Sequence, residues 1–425
     1  MLQDGATQLL CLTAGSGVPL FTRGASRHQL PFSVIGSLNG VHMFGGGQGA
    51  LLSCCDTEDG GKVMWRVFQD SVMLIAVSGG AGHREEEVRL QRLLENVWNC
   101  MVLVLGQDEL ANVRNVERLK RDLRSCFSLI DHLLEEKRPG IFGDLTHCAD
   151  SLLPPSPTLL QEAVDGFARG ADSEFGCLLV YGRIAAATEK WWRLVPQEVI
   201  LLSALIRTLS ASGSSSCDYP VYLPQGSPTV AYRLLCFRLL PGASVCVLCG
   251  PTPSLHKAET ELVGCFWSPL LETLRNCLDV GERCMPGSVS LRPDVLALLL
   301  INRETRRSVS CVQTSTHHPP SLSRTRCWEL LQAFYIFCIS RYFTQDDTLC
   351  TPLEERAQRG KTEDFLLGFS HQPQQCYLVT EECKSFGLQT PQHQLFLLMS
   401  PSAPTFALRA IAAQTLSHIV SATGF

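Results

Sequence analysis

The sequence lacks any excess of positively charged residues. Its 425 residues include 36 lysines and arginines against 41 aspartates and glutamates, which gives a formal net charge of −5. Proteins that bind nucleic acid face a dense row of phosphates and need a positive surface for it. The composition therefore predicts no nucleic-acid partner. With 45% hydrophobic and 18% charged residues, it also excludes disorder along most of the chain.

Long hydrophobic runs are also missing. The longest apolar stretches, residues 199–206 and 295–301, are far shorter than the roughly 20 residues that a membrane-spanning helix needs. The apolar residues 9–12 have no basic residue before them, since the first is Arg23, whereas a secretory signal peptide begins with positive charge. These features predict a soluble, cytoplasmic protein.

Motifs for nucleotide binding, metal binding and nucleophilic catalysis are absent or incomplete. The glycine-rich residues 45–49 are not followed by the Gly-Lys-Ser/Thr of a phosphate-binding loop, so we predict a flexible turn there. Cys246 and Cys249 lie in a predicted strand, where positions three apart point to opposite faces, and no second cysteine pair completes a zinc site. We expect no catalytic residue, cofactor or metal. The remaining catalytic alternative is a thiol hydrolase whose cysteine and histidine come from distant parts of the chain.

Cysteine, in contrast, is abundant, with 20 residues in the chain. In an exported protein this number would suggest a disulfide framework. Here no export signal is present, and most cysteines lie within apolar runs, where free cysteine packs as a small buried hydrophobe. We therefore predict reduced core residues, of which the clearest are Cys11, Cys177, Cys236, Cys246, Cys311 and Cys338.

One pattern of elements occurs three times along the chain. In each repeat a strand-like apolar run passes through a Gly, Pro or Ser turn into a long helix, and the three runs are residues 72–77, 244–249 and 395–399. Two extended runs joined by a short turn precede each unit, as in a β-hairpin. Because hairpins build antiparallel sheets, we predict an α+β fold.

The composition of the segments between these units suggests the domain boundaries. Pro-rich and Gly-rich stretches near residues 138–157 and 281–293 are typical of linkers. We therefore predict three tandem domains, at residues 1–138, 158–280 and 294–425.

A predicted helix at residues 31–44 carries one stripe of small residues and another of the larger apolar residues Ile35, Leu38 and Val41. Its small residues fall on one face, and two explanations of that face are open: close packing on the domain's own sheet, or a surface for another chain. In the second case Asn39, His42 and Phe44 would lie at the edge of the interface. The candidate interface residues are therefore Ser33, Gly36, Ser37, Asn39, Gly40, His42 and Phe44.

A second helix, predicted over residues 112–134, has a basic face. Such a face binds acidic lipid headgroups or an acidic partner, although most basic faces are only solvated surface. The sequence thus suggests peripheral membrane contact as one interpretation. The residues of this face are Arg114, Arg118, Lys120, Arg121 and Arg124.

Four segments of the chain resemble the Fuzzy family of planar-cell-polarity proteins. They are residues 30–44, 115–124, 186–194 (with the Trp191-Trp192 pair) and 218–230. The resemblance implies three tandem longin-like domains, each a five-stranded antiparallel sheet flanked by helices. This architecture is shared with the Mon-type subunit of the Mon–Ccz exchange factor.

The same resemblance implies a function without covalent catalysis. Proteins of this family pair with an Inturned-like longin protein and a β-propeller partner in an effector complex at the ciliary base, which predicts a location in the cytoplasm and at the cytoskeleton of the basal body. The paired longin proteins resemble exchange factors for Rab-class small GTPases, in which the helix at residues 31–44 would lie near the joint surface. The alternative is a scaffold or GTPase effector without exchange activity. The loops at residues 45–61 and 346–364 have no counterpart that the resemblance explains.

Overall fold

The computed structural model describes residues 7–24, 30–79, 84–135, 140–211, 213–313, 322–343 and 373–425. The chain forms two compact units. One comprises residues 1–287 together with 305–309, and the other comprises residues 288–304 and 310–425. The loop noted at residues 346–364 lies outside the described residues.

The first sheet has five antiparallel strands in the order β2-β1-β5-β4-β3. Its first two strands form the predicted hairpin, in which Leu10 pairs with Thr22. The two central strands are buried on nearly all positions, which explains why their sequences are continuous apolar runs rather than alternating ones. The strands are β1 (Thr7–Thr13), β2 (Pro19–Gly24), β3 (Cys54–Asp56), β4 (Lys62–Phe68) and β5 (Val72–Ser78).

Helices cover both faces of this sheet. One face carries helix α1 (Phe32–Gly47), which packs against a small cluster formed by every second residue of the central strands, such as Leu10, Leu12 and Ile75. The opposite face is covered by the helices α2 (Arg84–Leu105), α3 (Gln107–Ala111), α4 (Val116–Asp122) and α5 (Phe127–Leu134). In α2 the acidic first turn suits the positive end of the helix dipole.

The prediction of a flexible turn at residues 45–49 is wrong. Helix α1 continues through Gly45 to Gly47, and Gly49, with φ +72°, follows its end. The amide of Ala50 donates to the carbonyl of Gly45 at 2.9 Å and closes the last turn. Glycine is a poor helix former, and a run of glycines therefore favours a turn. Here the helix extends over Gly45–Gly47, and Gly49 ends it by adopting a left-handed backbone.

The predicted linker at residues 138–157 also contains regular structure. Its described part holds α6 (Gly143–Thr146) and a short strand, β6 (Ala149–Asp150). The carboxylate of Asp150 accepts hydrogen bonds from the amides of Phe142 and Gly143, at 3.0 and 2.9 Å. Sequence composition did not reveal this because the stretch has neither helix nor strand periodicity.

The second sheet repeats the strand order of the first, as β8-β7-β11-β10-β9. Helix α7 (Pro157–Gly170) precedes it, so this unit does not begin directly with its hairpin. The strands are β7 (Phe175–Val180), β8 (Arg183–Ala187), β9 (Ser216–Leu223), β10 (Ser227–Leu240) and β11 (Ala243–Cys249). The other main helices are α8 (Glu189–Trp192), α9 (Pro196–Ala211), α10 (Leu255–Lys257), α11 (Gly264–Phe266) and α12 (Leu271–Val280).

The first two sheets share one hydrophobic core. Helix α2 packs against β4 and β5 of the first sheet and against β9 and α9 of the second. The buried cluster therefore runs from Leu9 and Leu74 through Leu103 of α2 to Leu201 and Leu234. This common core accounts for the grouping of both sheets in one compact unit.

The third sheet has the strand order β14-β15-β16-β12-β13. Its strands are β12 (Val295–Asn302), β13 (Arg307–Val312), β14 (Gln375–Val379), β15 (Lys384–Gln389) and β16 (His393–Met399), and its helices are α13 (Arg324–Arg341) and α14 (Leu408–Thr423). Arg307 and Ser308 pair in parallel with Ala149 and Asp150, and residues 305–309 accordingly group with the first unit. The α+β fold with three mostly antiparallel sheets is as predicted.

Neither membrane-spanning helices nor disulfides occur among the described residues. No described helix combines the length and the apolar character that crossing a bilayer requires. All cysteines in the described ranges are free thiols, and the six predicted as core residues are buried.

Candidate partner-binding surfaces

Helix α1 is an apolar helix without a single buried residue. It begins directly after Pro31, and no side chain caps its first turn. Large apolar side chains project from it into solvent, with Phe32 79% and Phe44 71% exposed, and Val34, Val41 and Met43 are exposed as well. Single exposed apolar residues are ordinary, but five on one helix are typical of a surface that another molecule covers.

One edge of α1 fixes it to the sheet. Ile35 and Leu38 pack on the outer cluster, and Nε1 of Trp65 donates to the carbonyl of Leu38 at 3.2 Å. The amide of Asn39 lies against the turn between β1 and β2, where a Cβ on Gly17 would come within 2.2 Å of its nitrogen. A glycine is required there both for this approach and for its φ of +65°.

The small-residue stripe of α1 does not pack on the domain's own sheet. A Cβ built on Gly36 or on Gly40 would meet no atom within 4 Å. Ser33 and Ser37 are exposed too, and the hydroxyl of Ser37 only donates to the carbonyl of Ser33. Of the two explanations given by the sequence, internal packing is wrong. A face for another chain stays a prediction.

The other candidates in this helix differ in exposure. Asn39 and His42 are half-buried, whereas Gly40 and Phe44 are exposed. Phe32 and Met43 were not among the predicted candidates, although a sequence that is apolar on all sides of the helix was a signal for them.

The basic residues do not lie on the one continuous helix predicted for residues 112–134: Arg114 precedes α4, and the other four lie on α4 or on the 3-10 turn after it. Asn115 caps a new helix, α4, by accepting from the amide of Arg118 at 3.0 Å. A 3-10 turn over Leu123–Cys126 then separates α4 from α5. The periodicity of the apolar residues continues through the break because both pieces pack on the same core.

Carboxylates accompany much of the basic face. Arg118 pairs with Glu109 and Asp122 at 3.6 and 3.4 Å, and Lys120 pairs with Glu117 at 2.8 Å. Arg121 lies 3.7 Å from Asp122, and Arg114, Arg118, Arg121 and Arg124 are all exposed. Exposed pairs of this kind contribute little stability, but they reduce the positive charge that an anionic surface would meet.

The described residues form neither a metal-binding cluster nor a cavity larger than one water molecule near Asp150. None of their histidines, cysteines and acids form a group of three or more that could hold a metal ion. A small cavity beside Asp150 and Arg207 has a volume of about 10 Å³, which suits a single water molecule. Cys246 lies in the core shared by the first two sheets and Cys249 in the separate cluster under α7 and α12, which confirms that they point to opposite faces.

Comparisons with protein-family models match the chain in three places. The model described as "First Longin domain of FUZ, MON1 and HPS1" matches residues 7–133. The second and third longin domains of the same proteins match residues 171–268 and 294–423. Each match contains one of the three sheets.

Curated proteins are similar to the chain over almost its full length. "Protein fuzzy homolog" of Xenopus tropicalis is 48% identical over 98% of both chains. The chain belongs to the Fuzzy family. Proteins with the same printed name from Homo sapiens and Mus musculus are 45% and 44% identical, over 97% of this chain and 97% and 96% of theirs. The Fuzzy family consists of longin-domain proteins and is not a known family of catalytic enzymes, and the prediction of three tandem longin domains is confirmed.

Proposed function

We propose that this protein is a non-enzymatic subunit of a planar-cell-polarity effector complex at the ciliary base. It pairs there with an Inturned-like longin protein, together with a β-propeller partner, and the complex promotes nucleotide exchange on a Rab-class small GTPase. Through this activity the complex supports cilium assembly and ciliary transport. The working location is the cytoplasm and the cytoskeleton of the basal body.

The observation that carries the proposal is the exposed helix α1 of the first longin domain. It is held to its sheet by one edge through Leu38 and Ile35, while its apolar residues and its two open glycines face solvent. Glycines at Gly36 and Gly40 let the backbone of a partner approach closely, and Phe32 and Phe44 supply large apolar contacts. The family membership supports the choice of a longin protein as that partner.

Exchange needs no covalent step from the chain. A complex that binds the nucleotide-free GTPase more tightly than the loaded form shifts the equilibrium toward nucleotide release. The surface that does this only has to exclude the nucleotide or distort its site. An apolar helix that is held to its sheet by one edge is suited to such binding.

The test is nucleotide release from candidate Rab-class GTPases by the reconstituted pair. We expect the pair to accelerate release at least tenfold over the GTPase alone, and the double substitution Gly36→Leu and Gly40→Leu to abolish both pairing and acceleration. Gly264→Leu is the matched control, since Gly264 is also an exposed helical glycine with open space around it. No acceleration by an intact pair would remove the exchange activity from the proposal.

The alternative is a GTPase effector or scaffold that recruits transport proteins to basal bodies. The same reconstituted pair distinguishes the two, because an effector binds the GTP-loaded form best and an exchange factor binds the empty form best. A preference for the GTP form together with no release would establish the alternative.

A further inference from the structure

Four cysteines form a continuous row across the second sheet. The register pairs Cys217 of β9 with Cys236 of β10, Cys236 with Cys246 of β11, and Cys246 with Cys177 of β7. Directly opposed residues in antiparallel strands point to the same face. All four side chains therefore lie on the face that belongs to the core shared with α2, where three of them are members of the buried cluster and Cys217 packs against it.

The row has one accessible end. Cys236 is 5% exposed and the two inner cysteines are fully buried, whereas Cys217 is only half-buried. It lies near the start of β9, the edge strand of this sheet, and residues 213–215 just before it are exposed. An oxidant from solvent would thus meet Cys217 before any other thiol in the row.

The spacing of Cys217 and Cys236 suits a disulfide. The Cα atoms of directly opposed residues in antiparallel strands lie about 4.5–5.5 Å apart, and disulfides bridge Cα separations of about 4.4–6.8 Å. Because the register already places the two residues opposite each other, joining their sulfurs requires no backbone rearrangement of the sheet.

We propose that Cys217 and Cys236 are a redox-active dithiol that a peroxide converts to a cross-strand disulfide. This dithiol belongs to the second longin domain and is independent of the proposed exchange function.

The chemistry balances with the peroxide as the only oxidant. The thiolate of Cys217 attacks one peroxide oxygen, the O–O bond breaks and the second oxygen leaves as water after taking up a proton, which yields a sulfenic acid on Cys217. The sulfur of Cys236 then attacks the sulfenic sulfur, the S–O bond breaks and a second water leaves. Two thiols lose two electrons in total, and hydrogen peroxide is reduced to two waters.

The electrostatics of the pair agree with these roles. A hydrogen bond from the thiol of Cys236 lowers the pKa of Cys217, although burial opposes it. The same contact, with burial, raises the pKa of Cys236. The more accessible sulfur is thus the better thiolate, and thiolate character with exposure decides which cysteine is oxidised first.

The test uses the full-length protein treated with hydrogen peroxide, alkylated, and digested with trypsin without reduction. The sequence separates the two thiols, because cleavage after Arg207, Arg233 and Arg238 places Cys217 in residues 208–233 and Cys236 in residues 234–238. We expect these two peptides to be joined after oxidation and separate after treatment with dithiothreitol. Cys236→Ala is expected to retain a sulfenic acid on Cys217 that dimedone traps.

Two variants complete the test. Cys217→Ser is expected to abolish the joined peptides, whereas Cys265→Ser, which removes an exposed cysteine of α11, leaves them unchanged. Circular dichroism verifies that each variant is folded. The proposal is overturned if folded wild-type protein shows no joined peptides, if Cys217 is joined to another cysteine, or if Cys217 proceeds to sulfonic acid while Cys236 stays a free thiol.

Discussion

At the residue scale, Glu198 shows how one buried carboxylate fixes a distant turn. Its side chain is 1% exposed, and Oε1 accepts from the amides of Gln225 and Gly226 at 2.8 and 2.9 Å. Oε2 accepts from the amide of Val195 at 3.3 Å, at the start of α9. A buried charge of this kind is tolerated because backbone donors surround it.

Replacing Glu198 with glutamine should destabilise the first unit. The new amide group would face the Val195 amide donor to donor, and the bonds to the turn would lose their charge. We expect a loss of about 1–3 kcal/mol in the free energy of unfolding, measured by urea denaturation. Glu272→Gln is the matched control, because Glu272 is exposed and pairs with the exposed Arg275, and it should cost less than about 1 kcal/mol. Equal losses in the two variants would contradict the role given to Glu198.

His147 makes stability depend on pH. Burial lowers the pKa of His147 well below its usual value, and the nearby charges of Arg92 and Arg306 lower it further. As the pH falls below about 6.5, the unfolded chain therefore binds a proton that the folded chain does not, and stability decreases.

The variant His147→Asn isolates this effect. Asparagine tolerates the left-handed backbone of this position, where φ is +52°. Between pH 7.5 and pH 5.5 we expect the wild-type protein to lose about 1 kcal/mol more than the variant, measured by urea denaturation at each pH. Parallel pH dependences in the two proteins would show that His147 titrates alike in the folded and unfolded chains.

At the scale of the element, α1 combines poor intrinsic helix formers with a position on the surface. Its glycines cost helix stability, and the structure gives Gly36 and Gly40 no packing contact in return. The helix forms because Leu38 and Ile35 pack on the sheet and Trp65 donates to its backbone. Glycines that lower helix stability without a packing role are typical of a surface retained for binding.

The double substitution Gly36→Ala and Gly40→Ala should stabilise the isolated chain. Alanine is favoured over glycine in a helix by about 1 kcal/mol, so we expect a gain of about 1–2 kcal/mol in thermal or urea denaturation. Gly106→Ala should have the opposite effect, because Gly106 has φ +82° and its Cβ would lie 3.0 Å from the ring of Tyr222. A loss of stability in the double variant would mean that the stripe packs internally.

At the scale of the whole molecule, α2 packs between two longin domains of one compact unit. Leu103 is fully buried in the cluster that contains residues of both sheets, such as Leu74 and Leu234. Each domain of the first compact unit therefore has a cluster of its own and shares this larger core with the other domain. From this shared core we predict that the stability of each sheet depends on the other.

The substitution Leu103→Ala tests that dependence. Truncation of a buried leucine costs about 2–5 kcal/mol, and we expect amide protection to fall in both β5 and β11 by hydrogen exchange with mass spectrometry. Leu10→Ala, which opens only the outer cluster under α1, should affect β5 more than β11. Protection lost from β5 alone in Leu103→Ala would show that the two sheets unfold separately.

The sequence by itself determined the fold class, because hairpins, strand lengths and helix periodicity are local features. It also located α1, with its small residues, as a candidate surface. Tertiary structure decided what the local pattern could not encode: that Gly36 and Gly40 face solvent, that the helix around Arg118 is broken, and that β6 pairs with β13. It also placed Cys217 beside Cys236 and α2 between two sheets. The helix break is set locally, by the Asn115 cap. The other features depend on contacts between residues far apart in sequence, and such contacts leave no signature in the spacing of neighbouring residues.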